Sequence, residues 1–275
     1  MDNAGPADHP KVNYGKVGVL LVNLGTPDGT DYTSMRRYLK DFLTDKRVIE
    51  WSPWKWYPIL FGIVLNTRPG KVGKAYELIW NKEKDESYLR TYTRSQSDLM
   101  AERLKDLENV KVDWAMRYGS PSIASRIQAL KDDGCDKIVL FPLYPQYAAA
   151  TTATVNDKAF QHLLTMRWQP ALRTVPDYHD DDTYIEALAN SITRHLSTLD
   201  WQPEKIIASF HGIPMSYFKK ATPITASARR PAACCGESSA SRRTSSWSPS
   251  SPASARKNGC SPIPTRRWSS SPRTA

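Results

Sequence analysis

From Val17 to Leu24 the run VGVLLVNL is apolar and rich in β-branched residues up to Asn23, then meets the turn cluster Gly25-Thr26-Pro27-Asp28-Gly29. A continuous apolar run of that length closed by turn residues predicts a buried parallel strand ending in a loop. Thr33 to Leu43 follows with Met35, Tyr38, Leu39 and Phe42 on one side at helical spacing, which makes a first β-loop-α unit. The alternation then repeats. Strands are expected at Val110–Tyr118, Lys137–Leu143, Ala171–Val175 and Lys205–Phe210, and helices at Ser122–Lys131, Thr154–Met166 and Thr183–Leu196. Strands alternating with helices predict an α/β fold, a parallel sheet with helices on both faces.

Two stretches break the pattern. Residues 51–65, WSPWKWYPILFGIVL, are aromatic and apolar but interrupted by Pro53, Lys55 and Pro58, so they are too short and broken to span a bilayer. Two readings stay open, a core-packing connection or an exposed apolar lip that touches a membrane or a large flat ligand. Residues 221–275 hold 14 Ser, nine Ala, eight Arg and seven Pro but no Leu, Val, Phe, Tyr or Met, a composition that predicts disorder.

Charge follows the same division. The formal net charge is +10, but nine of the 38 Lys and Arg and only one of the 28 acidic residues lie beyond Lys220, which leaves 29 against 27 in the body. Once the tail is set aside, the basic signal that would suggest nucleic acid is gone, and no nucleic-acid partner is expected. Of the four cysteines only Cys135 lies in the body, so no disulfide framework is expected. Met1 to Gly15 is polar and lacks an apolar signal core, and no run of 18 apolar residues occurs, which predicts a cytoplasmic protein.

In open α/β sheets ligands bind beyond the carboxyl ends of the strands. Those ends read Asn23-Leu24-Gly25-Thr26-Pro27, Arg117-Tyr118, Tyr144-Pro145-Gln146-Tyr147 and His211-Gly212-Ile213-Pro214. Tyrosine rings supply apolar faces and an arginine a bidentate carboxylate clamp, a combination suited to a flat aromatic ligand bearing carboxylates. His179 sits in an acidic turn with Asp177, Asp180, Asp181 and Asp182, which is either a cation site or a solvated helix start.

LLVNLGTPDG at 20–29, RYGSPSI at 117–123, LYPQYAAATTAT at 143–154 and SFHGIPMSYFKK at 209–220 resemble successive signature blocks of the ferrochelatase family, in the family's order. The resemblance covers Val17 to Lys220. It implies two Rossmann-like parallel-sheet domains, with an N-terminal extension at 1–15, a first domain at 16–168 and the start of a second at 169–220, left incomplete. It implies insertion of Fe2+ into protoporphyrin IX to form protohaem, with both as substrates and no prosthetic group. His211 then falls at the catalytic metal-site histidine, accepting a pyrrole proton or delivering iron. Leu24 falls under the macrocycle face, and Arg68, Tyr76, Ser87, Arg117, Tyr118 and Tyr144 where the family lines the pocket and holds the propionates. The competing readings are a structural histidine for His211, packing or solvated positions for Tyr76 and Ser87, and a surface charge for Arg68. No iron-sulfur cluster is expected, since the region near Ala149 offers no cysteine. Peripheral contact with the inner face of a membrane through residues 51–65 is a further expectation. A cobalt-inserting chelatase and a non-catalytic porphyrin or haem binder are the alternatives.

After SYFKK the family continues with Gly-Asp-Pro-Tyr, whereas this chain reads Ala221-Thr222-Pro223-Ile224. The codons GGC GAC CCC TAT CAC TGC CAG TGC C, read from their second nucleotide, translate as residues 221–228. A second family block, Phe-Gln-Ser-Arg-Phe-Gly and its continuation to Trp-Leu-Gln-Pro-Tyr-Thr-Asp, yields residues 250–265 under the same shift. A frameshift after Lys220 is therefore expected, with the family's active-site glutamate missing and the chain as written folding poorly and inactive.

Overall fold

The computed structural model describes residues 13–220 and 223–224. Residues 1–12 and most of the tail read above as disordered lie outside these. The chain opens with β1 (Lys16–Gly25) and α1 (Tyr32–Leu43), then runs through α2 (Pro53–Ile59), a π-helical turn (Leu60–Val64) and α3 (Leu65–Glu77). A small antiparallel ladder of β2 (Trp80–Asn81) and β3 (Glu86–Ser87) leads into α4 (Tyr88–Arg103). There follow β4 (Val110–Tyr118), α5 (Ile123–Asp132), β5 (Cys135–Pro142), a second π-helical turn (Ala149–Ala153), α6 (Thr154–Leu163), β6 (Ala171–Thr174), α7 (Asp182–Leu196) and the short α8 (Met215–Lys219).

The four longer strands form one parallel sheet in the order β4-β1-β5-β6. The most apolar strand is interior: Val22 pairs with Ala115 on one side and Pro142 on the other, and Leu20, Leu21 and Val22 are fully buried. Because successive side chains point to opposite faces, Leu20 and Val22 serve one core. They pack with Ile123, Ile127 and Leu130 of α5 and Val155, Ala159 and Leu163 of α6. A second cluster gathers Tyr38 and Leu39 of α1, Leu60 and Val64 of the π turn, Leu65 of α3 and Tyr118 of β4. Helix starts are set by side-chain caps. Asp31 accepts from the N–H groups of Thr33 and Ser34 at 2.9 and 3.0 Å, Ser122 from Ser125 at 3.2 Å, and Asp181 from Thr183 and Tyr184 at 3.0 and 3.1 Å. The acidic turn at 177–182 is thus a capped helix start, and no group of three or more metal-ligating side chains occurs among the described residues.

The expected α/β fold is present, and the strands at β1, β4, β5 and β6 lie within two residues of their expected bounds. Two expectations are corrected. Lys205–Phe210 forms no strand. A parallel strand needs a neighbour to bond, and this segment has none among the described residues, so Ile206, Ile207 and Phe210 are exposed. Ala171–Thr174, placed beyond a domain boundary at 168, bonds to β5 as the edge of the first sheet, which therefore extends past that boundary.

The broken apolar stretch at 51–65 is helical. Pro53 sits at the start of α2, where its missing N–H costs nothing. In the π turn that follows, Asn66 Nδ2 donates to the carbonyls of Phe61 and Gly62 at 3.0 and 2.9 Å, and Thr67 Oγ1 to that of Ile63 at 2.9 Å. Leu60, Val64 and Leu65 face the core, while Trp54, Tyr57, Phe61 and Ile63 are exposed. One face is thus a core-packing connection and the other an exposed apolar lip. No helix among the described residues is long and apolar enough to cross a membrane.

Candidate functional site

Beyond the carboxyl ends of β1 and β4 the turn after α1 folds back over the sheet. Val48 and Ile49 donate to the Asp45 carbonyl at 3.0 and 2.9 Å, and Trp56 Nε1 donates to the Leu43 carbonyl at 2.7 Å. This turn delivers Asp45 to the end of β4. Its Oδ2 accepts from the Tyr118 hydroxyl at 2.7 Å, from Arg117 Nη2 and from Thr154 Oγ1, and its Oδ1 from the Arg47 N–H at 2.7 Å. Arg117 Nε donates to Thr154 Oγ1 at 2.7 Å and to the Thr154 carbonyl at 3.1 Å. The guanidinium carbon lies 4.2 Å from the centre of the Tyr118 ring.

Burial alone would raise the Asp45 carboxyl. The donors Thr154, Tyr118 and the Arg47 N–H, with the Arg117 charge, outweigh it and hold the group below the usual carboxylate range. Tyr118 is shifted upward, mainly by burial and further by its bond to Asp45, with the Arg117 charge acting in the opposite sense.

Aromatic rings line the same edge. Phe42 meets Tyr118 edge to face at 5.0 Å and stacks with Tyr38 at 6.2 Å, and Tyr76 meets Tyr38 edge to face at 6.4 Å. Leu24 packs against this cluster. Tyr144 packs against the cluster on the other face, and its buried hydroxyl has no hydrogen-bond partner among the described residues. Burial, with the Tyr118 and Tyr38 phenols nearby, pushes the Tyr144 phenol upward. The ends of β1 and β4 approach so closely that a Cβ on Gly25, whose φ is +106°, would lie 1.9 Å from the Tyr118 carbonyl oxygen.

Leu24, Tyr76, Arg117, Tyr118 and Tyr144 thus converge around the sheet edge. The remaining expected site residues lie apart. Arg68 is on the exposed face of α3. Ser87 is buried and caps α4, accepting the Arg90 N–H at 3.2 Å. His211 is exposed in the irregular segment before α8 and makes no hydrogen bond or ion pair among the described residues. That segment is nonetheless tied to the turn bearing Asp45. The Tyr217 hydroxyl donates to the Val48 carbonyl at 2.9 Å and accepts the Glu50 N–H at 3.3 Å, and Lys220 pairs with Glu50. Asp45, Thr154 and Tyr38 were missed as site residues from sequence. Asp45 follows Leu43-Thr44 as an ordinary turn residue, and nothing local reports that its partners lie 72, 73 and 109 positions further on.

A parallel α/β unit whose carboxyl edge carries aromatic rings and a buried ion pair belongs to the class that binds ligands beyond its strand ends. A family model describing ferrochelatase matches residues 16–244. The chain is 85% identical over 218 residues to the ferrochelatase of Rhizobium johnstonii, 75% identical to that of Agrobacterium fabrum and 62% identical to that of Chelativorans sp.. Each match covers 79% of this chain and 62 to 63% of the relative, so the chain spans a little under two thirds of the curated relatives it matches. The chain belongs to the ferrochelatase family.

Proposed function

We propose that the in-frame product of this sequence inserts ferrous iron into protoporphyrin IX, the metal replacing two pyrrole protons to give protohaem. The observation that carries this reading is the gathering of Leu24, Arg117, Tyr118 and Tyr144 at the sheet edge of a chain in this family. The Tyr and Leu side chains offer the apolar surface a macrocycle stacks on. Walls rigid enough to favour a bent macrocycle over a flat one would turn binding energy into access to the ring nitrogens. In this reading His211 is the base or iron donor, Tyr76 and Ser87 line the pocket and Arg68 meets a propionate. Porphyrin binding without metallation is a second reading, favoured by the exposed position of His211 apart from the aromatic cluster.

We further propose that residues 221–275 are read out of frame. Sequencing the DNA across the codons for Tyr217 to Thr225 is expected to reveal a single-base change whose reversal continues the frame into Gly-Asp-Pro-Tyr. The in-frame product is expected to consume protoporphyrin IX fluorescence when ferrous iron is added without oxygen, whereas the 275-residue chain binds the porphyrin and leaves it unmetallated. An unaltered DNA sequence would remove the frameshift reading, metallation by the 275-residue chain would remove the expectation that it is inactive, and an in-frame product with no metallation would remove the functional reading.

The exposed aromatic face of α2 and the π turn supports peripheral attachment to the inner face of a membrane. Trp54 is 89% exposed there. Trp54→Asp is expected to weaken sedimentation with anionic phospholipid vesicles by about tenfold, the equivalent of one large apolar side chain kept in water. Unchanged sedimentation would exclude this face.

A further inference from the structure

Asp45 lies outside every role proposed above, yet its carboxylate is 7% exposed and collects the Arg117 guanidinium, two hydroxyls and a backbone N–H. Burying a carboxylate is costly unless each donor is placed, so this arrangement demands a well-fixed turn. The turn is fixed from several sides. Arg47 reaches across to α6 and binds Asp157 through one edge of its guanidinium, Nε to Oδ2 at 2.7 Å and Nη2 to Oδ1 at 3.1 Å. That helix begins with Thr154, the residue that takes the Nε of Arg117. Arg117 is therefore held at its Nε by Thr154, at Nη2 by Asp45 and across its face by the Tyr118 ring. A guanidinium bonded through Nε and Nη2 and lying over a ring has little freedom left to swing toward a ligand carboxylate. Its charge is already met by a carboxylate that stays ionised.

We propose that Asp45 is a positioning residue that holds the Arg117 guanidinium over the Tyr118 ring and cancels its charge, so that this wall meets a porphyrin as a neutral face and not as an anion clamp. The proposal rests on the porphyrin reading above and revises what Arg117 does within it. Propionate recognition then falls to other cations, and the ion pair serves to keep the Tyr118 ring and the guanidinium plane in one orientation.

The test uses the full chain and two probes of different charge, protoporphyrin IX and its neutral dimethyl ester, with dissociation constants read from tryptophan quenching. Asp45→Asn uncovers one positive charge and is expected to shift the preference for acid over ester by about tenfold toward the acid. The Arg117 Nε–H signal of nitrogen-15-labelled protein is expected to change from a resolved, slowly exchanging resonance to an averaged one. The neutral pair Asp45→Asn with Arg117→Gln buries no charge and keeps the proposal testable if the single variant does not fold. Its acid-to-ester ratio is expected to stay within about twofold of the native ratio, where an anion clamp would lose about tenfold. An unchanged ratio in Asp45→Asn, or a tenfold loss in the neutral pair, overturns the proposal. If the native chain binds neither porphyrin, the functional reading fails instead. The Arg117 resonance still decides the local claim, since an unaltered slow signal in Asp45→Asn overturns it.

Discussion

Gly25→Ala is expected to cost about 2–5 kcal/mol of folding stability, a large part of what a domain of this size has to lose. Two effects add. The positive φ of Gly25 strains any residue with a Cβ by about 1–2 kcal/mol. The new methyl would also lie 1.9 Å from the Tyr118 carbonyl oxygen, a backbone atom that no rotamer change can move aside, and overpacking of this kind adds about 1–3 kcal/mol. Relief requires β1 and β4 to part at their carboxyl ends, where Leu24 and Tyr118 sit. Gly62 is the control, since a Cβ there meets nothing within 4 Å. Its alanine variant is expected to stay within about 0.5 kcal/mol of the native chain. Urea denaturation of the two variants separates the outcomes, and equal midpoints would mean that the strand ends do not approach as closely as described.

Arg117→Met is expected to be of similar size, about 3–5 kcal/mol at neutral pH, because it leaves a buried carboxylate without its counter-charge. The pH dependence is the sharper observable. In the native chain the Asp45 carboxyl is held below its unfolded value, so its contribution is fully present above that value and is lost as pH falls through the folded one. In the variant, burial is opposed by Thr154, Tyr118 and the Arg47 N–H without the Arg117 charge, so the folded value moves up toward the unfolded one. The penalty is then greatest at neutral pH and is relieved as the carboxyl takes up a proton. The gap in Tm between native and variant chains is expected to narrow as pH falls below the unfolded value. A gap that stays constant would mean the loss comes from packing against Tyr118 alone.

Much of the fold was legible because its signals are local. The apolar run at 17–24 could only be satisfied by burial on both faces, and it lies between β4 and β5. Helix starts at α1, α5 and α7 lie at residues whose side chains bond the first free N–H groups. Where satisfaction depends on distant partners, local reading failed. Lys205–Phe210 has a strand's composition but no strand beside it among the described residues. The prolines at 53 and 58 obscured a helix that accommodates both. At the site, the strand-end rule located Leu24, Arg117, Tyr118 and Tyr144, yet it could not show that Arg117 is already occupied. That fact is carried by Asp45, a turn residue whose significance exists only once β4 and α6 lie beside it.

The docking of α8 on the turn at 48–50 sets a limit on His211 that its exposed setting conceals. Met215, the first residue of that helix, is only four positions further on, and a fully extended chain covers about 3.5 Å per residue. The His211 backbone is thus leashed within about 14 Å of the start of the helix that docks on the turn at 48–50, whatever path the intervening residues take. A group so leashed is present at an effective concentration on the order of millimolar around its anchor. The histidine therefore stays tethered to the part of the molecule that carries the turn at 48–50, without a direct bond to the Asp45–Arg117 pair.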